Sequence, residues 1–78
     1  MKELVKFMAK AMVDNPDQVE VTEIAGRDIL VIELKAAKED MGQIIGKKGR
    51  NAQAMRIILN AASANLRKRV DLEIIDQW

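Results

Sequence analysis

The sequence predicts an α+β domain in which a three-stranded sheet packs against helices. Three observations carry this. The first residues repeat apolar side chains every three or four positions, the period of a helix buried along one face. Two runs rich in β-branched residues follow, separated by a short turn, and a second helical stretch leads to a final segment that alternates strictly. The 78 residues make one domain spanning 1–78, because halves of about 40 residues sit near the limit for folding without metals or disulfides.

Each element has its local reason. From Lys2 to Val13 the apolar positions are Leu4, Val5, Phe7, Met8, Ala11 and Met12, with Lys2, Lys6 and Lys10 on another face. The helix stops at Asp14-Asn15-Pro16-Asp17, where proline removes a donor and pushes Asn15 out of helical geometry. A strand is expected from Val19 to Ile24, a turn at Ala25-Gly26-Arg27-Asp28, and a second strand over Ile29 to Lys35 with Leu30, Ile32 and Leu34 facing the core. Lys38-Glu39-Asp40 opens a short helix that runs through Met41 to Ile45, its acids placed favourably in the first turn. After Gly46-Lys47-Lys48-Gly49 the helical pattern returns from Arg50 to Leu66. One side of that helix carries Ala52, Met55, Leu59, Ala62 and Leu66, with Ile58 beside them. Arg69 to Ile74 reads as the third strand, with Val70, Leu72 and Ile74 inward. Met8, Met12 and Met55 read as core filler, and Trp78 either caps the core beside the third strand or joins a partner surface.

Charge is distributed unevenly beneath a net total of +1. The 30 positions between Asp40 and Asp71 carry seven bases and no acid: Lys47, Lys48, Arg50, Arg56, Arg67, Lys68 and Arg69. That leaves six of the 13 bases against all 12 acids elsewhere, a +7 segment in a −6 background. Such asymmetry points to an anionic partner, and the acidic remainder confines that partner to one edge.

Several function classes are excluded by what is missing. Without cysteine there is no disulfide, zinc knuckle or thiolate chemistry, and without histidine the commonest general base and metal ligand is gone. Ser63 and Thr22 are the only side-chain hydroxyls, so nucleophilic catalysis lacks a base to activate it. Asp71, Glu73 and Asp76 read as solvated acids near a strand, so no enzyme, cofactor or metal is expected. The chain lacks both an apolar run of membrane-spanning length and a signal-peptide core at Met1-Lys2-Glu3-Leu4, which makes a cytoplasmic protein with no membrane association the expectation. A domain this small buries a modest share of its surface, so self-association would not be surprising.

The segment Gly46-Lys47-Lys48-Gly49 carries the chemistry. Its glycines can adopt backbone conformations closed to other residues and bring no Cβ against a ligand. Unpaired amides and the positive dipole end of the following helix suit phosphate oxygens, to which Lys47, Lys48 and Arg50 add charge. The spacing is not a P-loop, because only three residues separate Gly42 from Gly46 and Lys stands at position 48; nor do the glycines fit Gly-x-Gly-x-x-Gly. With Phe7 and Trp78 the only aromatics, base-stacking platforms are poorly supported, and a groove with aliphatic walls fits better.

The run Met41-Gly42-Gln43-Ile44-Ile45-Gly46-Lys47-Lys48-Gly49-Arg50 resembles the K-homology (KH) signature, an apolar pair leading into a Gly-x-x-Gly loop. The αββααβ order of the whole chain is similar to the type II arrangement, and a lone domain of this length resembles the small bacterial KhpA family. The resemblance implies single-stranded RNA binding, with Gly46 to Gly49 clamping about four nucleotides and Lys47-Lys48 facing phosphate. Ile45 would line the groove beneath the bases. Ala52 stands where many KH domains carry a larger aliphatic residue, implying a roomier groove. Arg50, Gln53 and Arg56 continue the candidate surface along one helix face, which equally suits solvated side chains, and Arg67, Lys68 and Arg69 suit either RNA contact or a helix C-terminus. The resemblance further implies an RNA chaperone or post-transcriptional regulator that forms a homodimer or pairs with a KhpB (Jag-like) KH protein, with links to cell-wall homeostasis and cell length. The competing readings are a scaffold module that binds no nucleic acid and a single-stranded DNA binder.

Overall fold

The computed structural model describes residues 1–75. Its elements are α1 (Lys2–Met12), β1 (Glu20–Ala25), β2 (Ile29–Lys35), α2 (Met41–Ile45), α3 (Arg50–Ala62) and β3 (Arg69–Ile74), with single 3₁₀ turns at Pro16–Gln18, Lys38–Asp40 and Lys47–Gly49. The class is α+β, as the periodicities predict. Asp76, Gln77 and Trp78 lie outside the described residues, and with them both readings of Trp78.

β2 is the central strand. It pairs antiparallel with β1, the hairpin closing where the Gly26 amide donates to the Ile29 carbonyl at 2.7 Å. With β3 it pairs in parallel, Leu30 beside Val70 and Ile32 beside Leu72. A parallel neighbour requires a crossover, and α2 and α3 supply it. Alternation along β2 sends Leu30, Ile32 and Leu34 to one face, where all three are buried. Val5 and Ala9 of α1, Ile44 of α2, and Met55 and Leu59 of α3 meet them in a single cluster, so the helices form one layer on one face of the sheet. Met8 and Met12 pack at its margin. The other sheet face carries Thr22, Glu33 and Glu73 in one cross-strand line, placing acids away from the helical layer.

Four expectations are corrected. α1 ends at Met12, and Val13 is already extended; Asn15 leaves helical geometry at φ −119°, as Pro16 requires. β1 begins at Glu20 and reaches Ala25, with Val19 buried just before it. Phe7 and Ala11, placed by periodicity on the buried side of α1, are exposed, Phe7 by 74%. The last correction is the largest. α3 stops at Ala62, four residues before Leu66, and Ala62, Ile58 and Leu66 are exposed rather than packed. The parallel pairing sets this limit. Arg69 must lie beside Ile29, its amide donating to the Asp28 carbonyl at 3.0 Å, so the six residues 63–68 must return the chain to the start of the sheet. Ser63, buried, marks the exit: its amide donates to the Leu59 carbonyl and its hydroxyl to the Asn60 carbonyl at 3.2 Å, the local bonding that draws serine to helix ends.

Asp40 keeps its first-turn position in the Lys38–Asp40 turn but is bound elsewhere. It is 1% exposed. Its Oδ2 accepts from the Asn15 amide at 3.0 Å and the Asn15 side-chain amide at 3.1 Å, while Oδ1 takes a long 3.4 Å contact from the Asp14 amide. It satisfies backbone donors beyond the end of α1, not those at the start of α2, and so ties the α1–β1 connection to the element that leads into the glycine loop.

Candidate nucleic-acid interface

The loop at 46–49 is built from unusual backbone conformations. Gly46 sits at φ 78°, ψ 169°, a region essentially confined to glycine. A Cβ there would lie 2.7–2.8 Å from atoms of Asn51. Asn51 cannot move aside freely, because its side-chain amide donates to the Gln43 carbonyl at 2.7 Å and thereby braces the end of α2 against the start of α3. Gly49 is left-handed at φ 74°, ψ 15°, yet a Cβ there would meet open space. Lys48 is left-handed too, at φ 59°, ψ 26°, the one non-glycine residue of positive φ among the described residues. Lys47 and Lys48 are exposed.

The amides are less free than expected. Those of Gly46, Gly49 and Arg50 donate to the carbonyls of Gly42, Gly46 and Lys47. Among the described residues the amides of Lys47 and Lys48 make no such bond, and they precede a 13-residue helix whose cap, Gly49, has no side-chain bond.

Beside the loop runs a groove of about 280 Å³ lined by Met41, Ile45, Gly49, Ala52, Arg56 and Ile74. Four of the residues singled out by sequence thus meet in one place: Ile45, Gly49, Ala52 and Arg56. Ala52 is buried in its floor and Ile45 is 40% exposed at its wall. Arg56, although exposed, reaches across to β3, Nη2 donating to the Leu72 carbonyl at 3.2 Å, and so lines the groove. Gly46, Lys47, Lys48 and Arg50 flank Gly49 in the chain but are not among the lining residues. Gln53 is exposed and lines no groove. Met41 and Ile74 were missed, although Met41 stands one helical turn before Ile45 and Ile74 ends the alternating strand. Among the described residues no cluster of metal-binding side chains occurs, and no helix is long and apolar enough to cross a membrane.

Comparison with known proteins agrees with this geometry. The family model described as "KhpA/KhpB, KH domain" matches residues 2–74. The chain belongs to this KH family. Among its relatives are proteins named RNA-binding protein KhpA from Caldanaerobacter subterraneus subsp. tengcongensis, 60% identical over 96% of this chain and 100% of that protein, and from Clostridium acetobutylicum, 49% identical over the same shares. The protein of that name from Aquifex aeolicus is 47% identical over 97% of this chain and 96% of its own. No solved structure matches significantly.

In this KhpA/KhpB-type domain the two glycines are expected to respond differently to alanine. Gly46→Ala combines a forbidden conformation with a clash against a braced Asn51 and should destabilise by about 2 kcal/mol. Gly49→Ala carries only the left-handed term, about 1 kcal/mol. Chemical denaturation of both variants checks the order. For Lys48, glycine relieves left-handed strain but gains freedom in the unfolded chain, so Lys48→Gly should raise stability by about 0.5 kcal/mol. The same change removes a loop charge and should weaken RNA binding severalfold. A melt and a binding titration moving in opposite directions would distinguish a strained functional residue from a neutral turn position.

Proposed function

We propose that this protein binds single-stranded RNA, holding about four nucleotides with their phosphates against the Gly46–Gly49 loop and their bases over the aliphatic groove. The observation that carries this reading is the groove itself: Ile45, Gly49, Ala52 and Arg56 meet beside a loop whose two lysines are exposed. The names of the KhpA relatives support it. Non-enzymatic action in the cytoplasm as an RNA chaperone or post-transcriptional regulator follows from the same reading. A contribution to cell-wall homeostasis and cell-length control is its widest extension.

The reading includes self-association or pairing with a KhpB-type KH protein. An apolar groove of about 250 Å³ between α1 and α3, lined by Phe7, Met8, Ala11, Met12, Asn51 and Ile58 among others, supports a protein partner on a face that adjoins the loop through Asn51. Two linked or paired domains would raise a weak single-site affinity through effective concentration.

Filter binding at 50 and 200 mM salt tests the proposal. Three phosphate contacts, from Lys47, Lys48 and Arg50, give a log–log slope of about −2, so affinity should fall roughly twentyfold between the two conditions. No retention of RNA at the lower salt would favour the scaffold reading, and preferential competition by matched DNA would favour a single-stranded DNA binder.

A further inference from the structure

Arg67, Lys68 and Arg69 lose their helix-end explanation once α3 is seen to stop at Ala62. The last turn of α3 carries no base, and the nearest of the three lies five residues beyond it, whereas the dipole's influence fades within one turn. The structure gathers these side chains with a fourth base instead. Lys68 Nζ donates to the Gly26 carbonyl at 3.1 Å and the Arg69 amide to the Asp28 carbonyl at 3.0 Å, which joins the 63–68 loop to the hairpin turn and brings Arg27 to the same end of the sheet. Asp28 and Asp71 are the acids of this region, and Asp71 is matched by Arg69 at 3.0 Å. Arg27 and Arg67 are exposed, and among the described residues no hydrogen bond or ion pair engages either side chain.

Two clefts that share Arg56 as a lining residue lie between this cluster and the glycine loop. β2 and β3 run in parallel from the cluster's end toward the loop's end, since Arg69 lies beside Ile29 and Ile74 lines the loop-side groove. A second cleft of about 440 Å³, between α3 and the edge of β3, is lined by Arg56, Asn60, Arg69 and Leu72 with the acids Asp71 and Glu73 at its β3 side, and it shares Arg56 with that groove. Its floor can hydrogen-bond. The amides of Arg69 and Ile75 turn toward β2, donating to Asp28 and Leu34, so strand alternation turns the backbone groups of Val70, Leu72 and Ile74 toward the cleft. The Arg56 bond to the Leu72 carbonyl confirms that direction. Five strand steps, about 17 Å, separate Ile74 from Arg69.

We propose that Arg27, Arg67, Lys68 and Arg69 form a second phosphate-binding station for the same RNA strand, which leaves the loop, follows the α3–β3 cleft past Arg56 and Asn60, and is held again at the far end. The footprint is then longer than the four nucleotides of the loop clamp. The inference rests on the RNA-binding reading above, and its test separates the two. Fluorescence anisotropy is measured with labelled oligouridine of four and of twelve nucleotides, for the wild type and for the double variant Arg27→Gln, Arg67→Gln, at 50 and 200 mM salt. Neither arginine has a partner to lose, so the variant's thermal melt should match the wild type. The twelve-mer should bind the variant at least fivefold more weakly, with a log–log salt slope shallower by about 1.4 for two lost contacts. The tetramer should bind both proteins equally. A twelve-mer that does not distinguish the proteins overturns the second station, as does an equal loss for both oligomers, which would reduce the cluster to a general field effect. If the wild type binds neither oligomer, the loop clamp itself fails and the extension with it.

Discussion

The double variant Lys47→Asp, Lys48→Asp should lose RNA affinity by about a hundredfold or more while melting within a few degrees of the wild type. Both lysines are exposed, and among the described residues neither side chain has a hydrogen bond or an ion pair. Their replacement therefore breaks no bond of the folded state. At Lys48 the change suits the backbone, because aspartate tolerates the left-handed conformation at φ 59° better than lysine does. Binding is another matter. The net charge moves from +1 to −3, all of it at the loop, and two attractive contacts become repulsive ones beside the amides of Lys47 and Lys48. Parallel thermal melts and anisotropy titrations check the result. Unchanged affinity would remove the loop from the RNA site.

Asp40→Ala should produce the largest loss of stability, about 3 kcal/mol. The carboxylate is buried and carries the Asn15 amide and side chain, with a longer contact from the Asp14 amide. Its removal leaves those donors part-buried and unpartnered, and bonds to a carboxylate are the stronger kind, roughly 1.5–3 kcal/mol each before non-additivity. A domain of this size has about 4–12 kcal/mol in total, so the melting midpoint should fall by more than about 10 °C. Asp40→Asn should recover part of the loss, because its oxygen can keep both Asn15 bonds at the Oδ2 position. Its amide nitrogen would face a donor at one of the positions where the carboxylate accepts. Because Asp40 joins the α1–β1 connection to the segment before α2, both variants should also loosen the entry to the glycine loop. Hydrogen exchange at Ile44 and Ile45 reports that effect.

How far the sequence could be read depended on whether a feature was local. Strict alternation placed β3, a β-branched run after a short turn placed β2, and the Asp14-Asn15-Pro16 stop was legible because proline acts on its immediate neighbour. The glycine loop was legible in composition, and the positive φ of Gly46 and Gly49 matches that reading. The conformation of Lys48 was not, since lysine gives no sign of left-handed backbone. The end of α3 was hidden by an alanine-rich pattern that continues through Leu66. What stops the helix is the distant requirement that Arg69 reach Ile29. The burial of Asp40 was hidden for the same reason, its partners lying some 25 residues earlier. Phe7 and Ile58 kept an apolar period yet remain at the surface, because periodicity marks a face without saying what covers it. Within the candidate site, the resemblance to the KH signature located Ile45, Gly49 and Ala52 and the shared helix face with Arg50 and Gln53 located Arg56, whereas Ile74 enters the groove only through sheet register.

The most direct test of RNA clamping at the loop is a two-dimensional ¹⁵N–¹H NMR titration of the wild-type protein with a short single-stranded RNA. The largest shifts should fall on the amides of Lys47 and Lys48 and extend to Ile45, Ala52, Arg56 and Ile74, leaving Thr22 and Glu33 on the outer sheet face unmoved. Shifts confined to Phe7, Ala11 and Ile58, or no shifts at concentrations that saturate other weak RNA binders, would contradict it.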